Sequence, residues 1–363
     1  MVNGQGVEVK DDRGVEIMEH GKPAPRIQVF STCPGSTGFD RETYVAQVVK
    51  VAQWSERAGC EGILVYTDNS LVDPWLVSQL IIQHTKTLCP LVAVQPVYMH
   101  PYTVAKLVAT LGFLYRRRMY LNMVAGGFKN DLNALNDPTP HDQRYERLVE
   151  YTMVIKQLLA GTGPVTFDGR FYKVDKLKMV PPLSPDLLPG ITLSGSSEAG
   201  LAAAKATGAI AIHYPKPASE YVDARPDPTL ESGIRIGMVS RPLEQEAWDA
   251  AHAYFPEDRR GQLAHQLAMK VSDSSWHKQL SEMDAAQARS PYWLVPFQNY
   301  KTACPYLVGS YERVAQELCA YVSRGYRNFI LDVPPNAEEL DHTQQAFSRA
   351  FELLKCQSSS TIG

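Results

Sequence analysis

Short apolar, β-branched runs recur along the chain: Ile27 to Phe30, Ile63 to Tyr66, Leu91 to Val94, Met119 to Val124, Ile191 to Leu193, Ala209 to Ile212, Ile234 to Val239 and Phe329 to Leu331. Runs of this kind suit strands covered on both faces, as in a parallel sheet flanked by helices. Helical patterns lie between them. Thr43 to Ala58 sets Val45, Val48, Val49, Ala52 and Trp54 largely on one stripe, and Tyr102 to Tyr115, Arg144 to Leu159, Ser197 to Thr207 and Glu312 to Arg324 follow the same rule. The alternation predicts an α/β fold, a single (β/α)8 TIM barrel, although a doubly wound sheet gives much the same pattern until closure is known.

Two connections are long. Residues 125–141 form a polar Gly/Asn/Asp/Pro stretch after the fourth strand, and residues 241–309 separate the seventh strand from its helix. Connections beyond roughly 12–15 residues are commonly functional, and in a barrel both insertions follow the strand ends where active sites are built. Residues 270–306 are expected to form a mobile lid, polar at Ser272 to Ser275 and apolar at Tyr292, Trp293, Val295 and Phe297. The barrel domain is expected over 24–356, with 1–23 and 357–363 as flexible termini.

Composition narrows the function classes. Hydrophobic residues at 44% and charged residues at 21% match a soluble enzyme with a large core. A formal net charge of −3 offers no basic field, so nucleic acid is not an expected partner. No stretch approaches ~18 consecutive apolar residues and residues 1–23 lack an apolar signal core, so a cytoplasmic protein without membrane contact is expected. The six cysteines are scattered without a C-x-x-C, which fits reduced thiols, and the nine histidines show no metal-ligand spacing, so no metal is expected.

The segment from Pro189 to Gly200 reads as strand, Gly/Ser turn and helix. Free backbone N–H groups and hydroxyls at Gly195, Ser196 and Ser197 suit a phosphate, and an ordinary serine cap explains them too. Leu201 stands where a Walker A loop needs lysine, and no G-x-G-x-x-G follows a strand, which demotes P-loop and Rossmann enzymes. His141, Arg144 and Tyr145 share one helix face near its start. Beyond the sixth strand stand His213 and Tyr214. Arg235 lies inside the seventh, where a guanidinium requires an anionic or well-matched partner and so suggests substrate recognition. Cys33, after the first strand, is a weak nucleophile candidate without an assignable base.

Several stretches carry a resemblance: Thr67, Ser70 and Asp73 to Leu76 after the second strand; Leu121 to Gly127 at the fourth; His141 to Glu146; Gly195 to Ala199; and Leu307 to Ser310 leading to Arg324 to Leu331. In order and spacing, from about residue 25 to 355, they resemble the bacterial-luciferase-like monooxygenases, and within them the two-component alkanesulfonate monooxygenases. The resemblance implies a barrel that binds FMN, receives it reduced from a separate NAD(P)H:flavin reductase, and uses O2 through a flavin peroxide. It implies Gln95, Asn122 and Ala125 near the isoalloxazine, and Tyr145, Gly195, Ser196 and Ser197, with His141 beside them, near the ribityl phosphate. Thr67, Leu71, Tyr300 and Lys301 would lie on the substrate side, and Arg235, His213, Tyr214 and Cys33 are the catalytic candidates. A homo-oligomer is expected.

Leu71, Gly237, Tyr214 and Pro334 stand where sulfonate-cleaving relatives have Cys, His, Trp and Tyr; Arg235 is kept. The expected reaction is therefore reduced-FMN monooxygenation of a small molecule, either alkanesulfonate-like or an intermediate of specialised metabolism. An F420-dependent oxidoreductase and a non-catalytic flavin-binding relative are the alternatives.

Overall fold

In a computed structural model of the chain, the eight apolar runs become the staves of one closed parallel barrel. The structure describes residues 18–19, 22–23, 26–127, 129–221, 227, 229–271 and 291–360; of the expected tails 1–23 and 357–363, residues 1–17, 20–21 and 361–363, and of the expected lid 270–306, residues 272–290, lie outside the described residues. The barrel strands are Gln28–Thr32, Gly62–Val65, Cys89–Val94, Tyr120–Val124, Gly190–Ser194, Ile210–His213, Ser232–Arg235 and Tyr326–Ile330. Each pairs in parallel with the next, and the eighth closes on the first through Asn328↔Gln28, Phe329↔Val29 and Ile330↔Phe30. Closure decides between the two architectures that periodicity could not separate.

Side chains alternate across a strand, so one set fills the barrel and the other meets the helices. Phe30, Leu64, Leu91, Tyr120, Ile210, Ile212 and Ile330 pack together inside, with Phe30 and Tyr120 edge to face at 5.0 Å. Val92, Leu121, Leu193 and Ala211 pack instead with Val104, Val108, Leu148 and Tyr151 of the surrounding helices. Helices Arg41–Arg57, Pro101–Tyr115, His141–Ala160, Glu198–Thr207 and Tyr311–Ser323 match the five predicted patterns. Two more, Pro74–His84 and Ala337–Ser360, complete the ring. Pro74–His84 starts at Asp73, whose carboxylate accepts from the N–H groups of Trp75 at 2.9 Å and Leu76 at 3.1 Å. Among the described residues no helix is long and apolar enough to cross a membrane.

The seventh run differs from its expectation. Ile234 to Val239 reads as one run in sequence, broken only by Arg235 and Gly237, but the barrel strand ends at Arg235 and Gly237–Arg241 joins a second sheet with Tyr306–Ser310 and Tyr292–Trp293. Gly237 permits the departure: a Cβ there would lie 2.3 Å from the Tyr306 ring. Within 291–306 of the expected lid, Tyr292, Trp293, Leu294 and Phe297 are buried and Val308 N–H donates to Pro291 O at 2.6 Å, so this part packs against the second sheet. The insertion also carries helices Glu244–Tyr254 and Arg259–Val271.

The third strand, which feeds Ala93 and Gln95 to the mouth, is anchored by Glu56. One carboxylate oxygen accepts the N–H groups of Lys86 at 2.7 Å and Leu88 at 3.1 Å, with Thr87 between them. Burial raises its pKa, but the bonds from Thr87, Leu88 and Lys86 outweigh that and hold the carboxyl below its ordinary value. Glu56→Gln should cost about 1 kcal/mol at neutral pH. A group with a depressed folded pKa stabilises fully above its unfolded pKa of about 4.3, and the contribution fades as pH falls through the folded value. The gap between wild type and variant in denaturant melts should therefore close in acid; a constant gap down to low pH would contradict this anchoring role.

Candidate active site

At the C-terminal mouth of the barrel lies a cavity of about 630 Å³, within the roughly 300–1,000 Å³ typical of small-molecule sites. The inward parity of each strand, continued past the packed layer, delivers Tyr66, Gln95, Asn122, Ser194, Tyr214, Arg235 and Asp332 to it.

One wall is a cradle. The turn Ser194 to Ser197 runs into helix Glu198–Thr207, whose first-turn N–H groups have no intrahelical acceptors. The Ser197 hydroxyl accepts from Gly200 N–H at 3.1 Å. Tyr145 of helix His141–Ala160 approaches so closely that a Cβ on Gly195 would lie 2.4 Å from its hydroxyl. Burial pushes the Tyr145 pKa up while its hydrogen bond with Ser197 pulls the other way, so the phenol stays neutral. The His141 ring stands edge-on to Tyr145 at 5.2 Å, and its Nδ1 lies 2.7 Å from Asp142 Oδ1.

The cradle continues onto the fourth strand. Asn122 Oδ1 accepts from Thr192 at 2.8 Å and Ser194 at 2.9 Å, which orients the buried amide and leaves its NH2 side for a ligand. Ala125 and Gln95 are buried beside it, and Gly126 takes φ +95°, a conformation open to glycine. On the rim Thr67, Asp68 and Leu71 face Asp131, whose pKa is raised by burial and then by the charge of Asp68.

Arg235 lies deeper, 6% exposed, with its guanidinium over the Tyr66 ring at 4.8 Å. Its Nε and Nη2 make no hydrogen bond among the described residues. The carboxylate of Asp332 accepts from Tyr306 at 2.8 Å. Such an arrangement keeps a permanent cation with spare donors at the base of a partly apolar chamber.

The model of the family described as luciferase-like monooxygenase matches residues 26–328. The chain belongs to that family. It is 34% identical over 336 residues to the 4-(gamma-L-glutamylamino)butanoyl-[BtrI acyl-carrier protein] monooxygenase BtrO of Niallia circulans, covering 90% of this chain and 96% of that one. Among solved structures, the long-chain alkane monooxygenase LadA superposes with a TM-score of 0.69 at 17% identity, covering 92% of each chain. DmoA from Hyphomicrobium sulfonivorans gives a TM-score of 0.68 at 18% identity, over 92% of this chain and 89% of that one.

In this luciferase-like monooxygenase the cavity gathers Gln95, Asn122, Ala125, His141, Tyr145, Gly195, Ser196 and Ser197 along one side, with Thr67, Leu71, Tyr214, Arg235, Tyr300 and Lys301. Two expected residues are corrected. Cys33 is not part of the cavity lining; it packs with Val48, Val51 and Ile63, and burial pushes its thiol to about 12, so it is a core thiol and no nucleophile. His213 is also outside: it lies one residue off the inward parity of Ile212, its ring edge-on to Tyr326 at 5.7 Å, and burial lowers its pKa to about 4. Lys301 is ion-paired with Asp258 at 2.7 Å. Sequence reasoning missed Tyr66, Asp332 and His265. Counting by two from Leu64 and Ile330 reaches the first pair; His265, on helix Arg259–Val271, comes to the cavity through non-local packing that periodicity does not carry.

Proposed function

We propose that the protein is a two-component monooxygenase that takes reduced FMN from a separate NAD(P)H:flavin reductase and oxidises, with O2, an acyl group presented on a carrier protein. The observation that carries the flavin half is the cradle at Gly195, where a Cβ would meet Tyr145 beside one helix N-terminus. It suits a single terminal phosphate, and the chain has no dinucleotide fingerprint. Tyr145, Gly195, Ser196 and Ser197 would hold that phosphate, and Asn122, Gln95 and Ala125 would orient the ring. When bound, reduced flavin supplies two electrons and activates O2, one oxygen atom entering the substrate and the other leaving as water. Arg235 offers its spare donors to an acyl carbonyl or carboxylate.

The acyl half rests on likeness to BtrO over 90% of the chain and on the spare donors of Arg235. Anaerobic titration should show reduced FMN binding more tightly than oxidised FMN, and FMN more tightly than FAD. With a reductase and a panel of acyl-carrier thioesters, labelled O2 should place one heavy oxygen in the product. A preference for FAD, or product without label, would overturn the assignment.

A further inference from the structure

The wall of the cavity facing away from the strands is built by the insertion after the seventh strand. Residues 256–265 and 295–301 interlock: Asn299 Nδ2 donates to Pro256 O at 3.2 Å, Gln262 Nε2 donates to Asn299 Oδ1 at 3.0 Å, and Lys301 pairs with Asp258 at 2.7 Å. Gly261 comes so near that a Cβ would lie 2.1 Å from Asn299 O. Tyr300 is held at φ 57°, a left-handed conformation uncommon outside glycine and concentrated at functional sites.

This frame presents His265 to the cavity. The side chain is 4% exposed, its ring edge-on to Phe297 at 4.7 Å and 5.8 Å from Tyr300. Its Nε2 makes no hydrogen bond among the described residues although it is buried. Burial lowers the imidazole pKa, so the ring is neutral and offers one donor or one acceptor at Nε2. The nearby charge of Lys301 is met by Asp258. The wall therefore supplies a hydrogen-bonding site without net charge, unlike Arg235.

We infer that His265 and its frame form a subsite for an uncharged hydrogen-bonding group of the acyl chain, an amide or a hydroxyl, and set specificity against plain alkyl chains. The inference rests on the carrier-linked acyl reading above. An alkyl group would leave Nε2 buried and unpaired, a penalty that translates into discrimination on the order of tenfold.

Two unreactive pantetheine amides test it: one carries a 4-(acetylamino)butanoyl chain, and the other has the same length with the acetylamino amide replaced by methylenes. Calorimetric titration into the FMN-loaded enzyme should show the first binding about tenfold more tightly. His265→Phe should erase the preference while leaving FMN affinity unchanged, His265→Ala should do the same if phenylalanine does not fit, and His265→Gln should keep part of it. Equal binding of both compounds to wild type, or a preference that survives in His265→Phe or His265→Ala, overturns this inference alone. Binding of neither compound to wild type overturns the carrier-linked reading and this inference with it.

Discussion

Replacing Arg235 with alanine is expected to lower product formation per reduced flavin by about 10²–10³-fold, the range found when one preorganised donor to a reacting group is removed. The melting temperature should hold or rise. A guanidinium keeps its proton at neutral pH, so its charge must be met by acceptors or an anion. Here Nε and Nη2 make no hydrogen bond among the described residues, and the Asp332 carboxylate accepts from Tyr306. The Cys304 thiol beside Arg235 is fully buried, and that burial raises its pKa well above the ordinary value, so it supplies no negative charge. The stack on Tyr66 meets the cation only in part. What completes the shell is the substrate, on the reading proposed here. Arg235→Lys should recover a fraction of the activity, since an ammonium keeps the charge but not the planar fork. A purely structural arginine behaves oppositely: breaking a buried pair costs about 3–5 kcal/mol, so wild-type turnover with a depressed melting temperature would exclude the catalytic role.

The fold was legible because a barrel strand covered on both faces leaves a contiguous apolar run, and eight such runs are present. The place where the seventh run leaves the barrel was not, since the apolar residues Ile234, Ile236, Met238 and Val239 continue on either side of Arg235 and Gly237 while the pairing partner changes from the eighth strand to Tyr306–Ser310. The cradle could be read because its signal is local: glycine and serines at a strand-to-helix turn, and a tyrosine one helical turn from a helix start. Cys33 and His213 were misplaced for one reason. Proximity to a strand end was weighed without parity, and each lies one residue off the inward set defined by Phe30 and Ile212. The same count would have found Tyr66 and Asp332. His265 depends on the docking of helix Arg259–Val271 against Val295–Gln298 and the turn after it, a contact no local pattern encodes.

Gly195→Ala is expected to weaken reduced-FMN binding on the order of 10- to 100-fold, the equivalent of about 1–3 kcal/mol for forcing a methyl into a packed site. The new Cβ would lie 2.4 Å from the Tyr145 hydroxyl, 3.2 Å from Cζ and 3.3 Å from Cε1. Tyr145 has little room to retreat: it is buried, edge-on to His141, and hydrogen-bonded to Ser197. The Ser194 to Ser197 turn must then shift, and its donors leave the position they hold at the mouth of helix Glu198–Thr207. Tyr145→Phe removes the nearest clashing atom and leaves ring contacts that a few tenths of an ångström relieve. By itself it forfeits one neutral hydrogen bond, about 0.5–1.5 kcal/mol, or a several-fold loss of affinity. The double variant should therefore bind reduced FMN better than Gly195→Ala alone, so that the two losses are less than additive, as expected for residues in contact. Anaerobic fluorescence titration of the four proteins measures the cycle, with thermal melts to confirm that each is folded. Wild-type affinity in Gly195→Ala, or losses that add in full in the double variant, would mean that the phosphate is not held where Gly195 and Tyr145 meet.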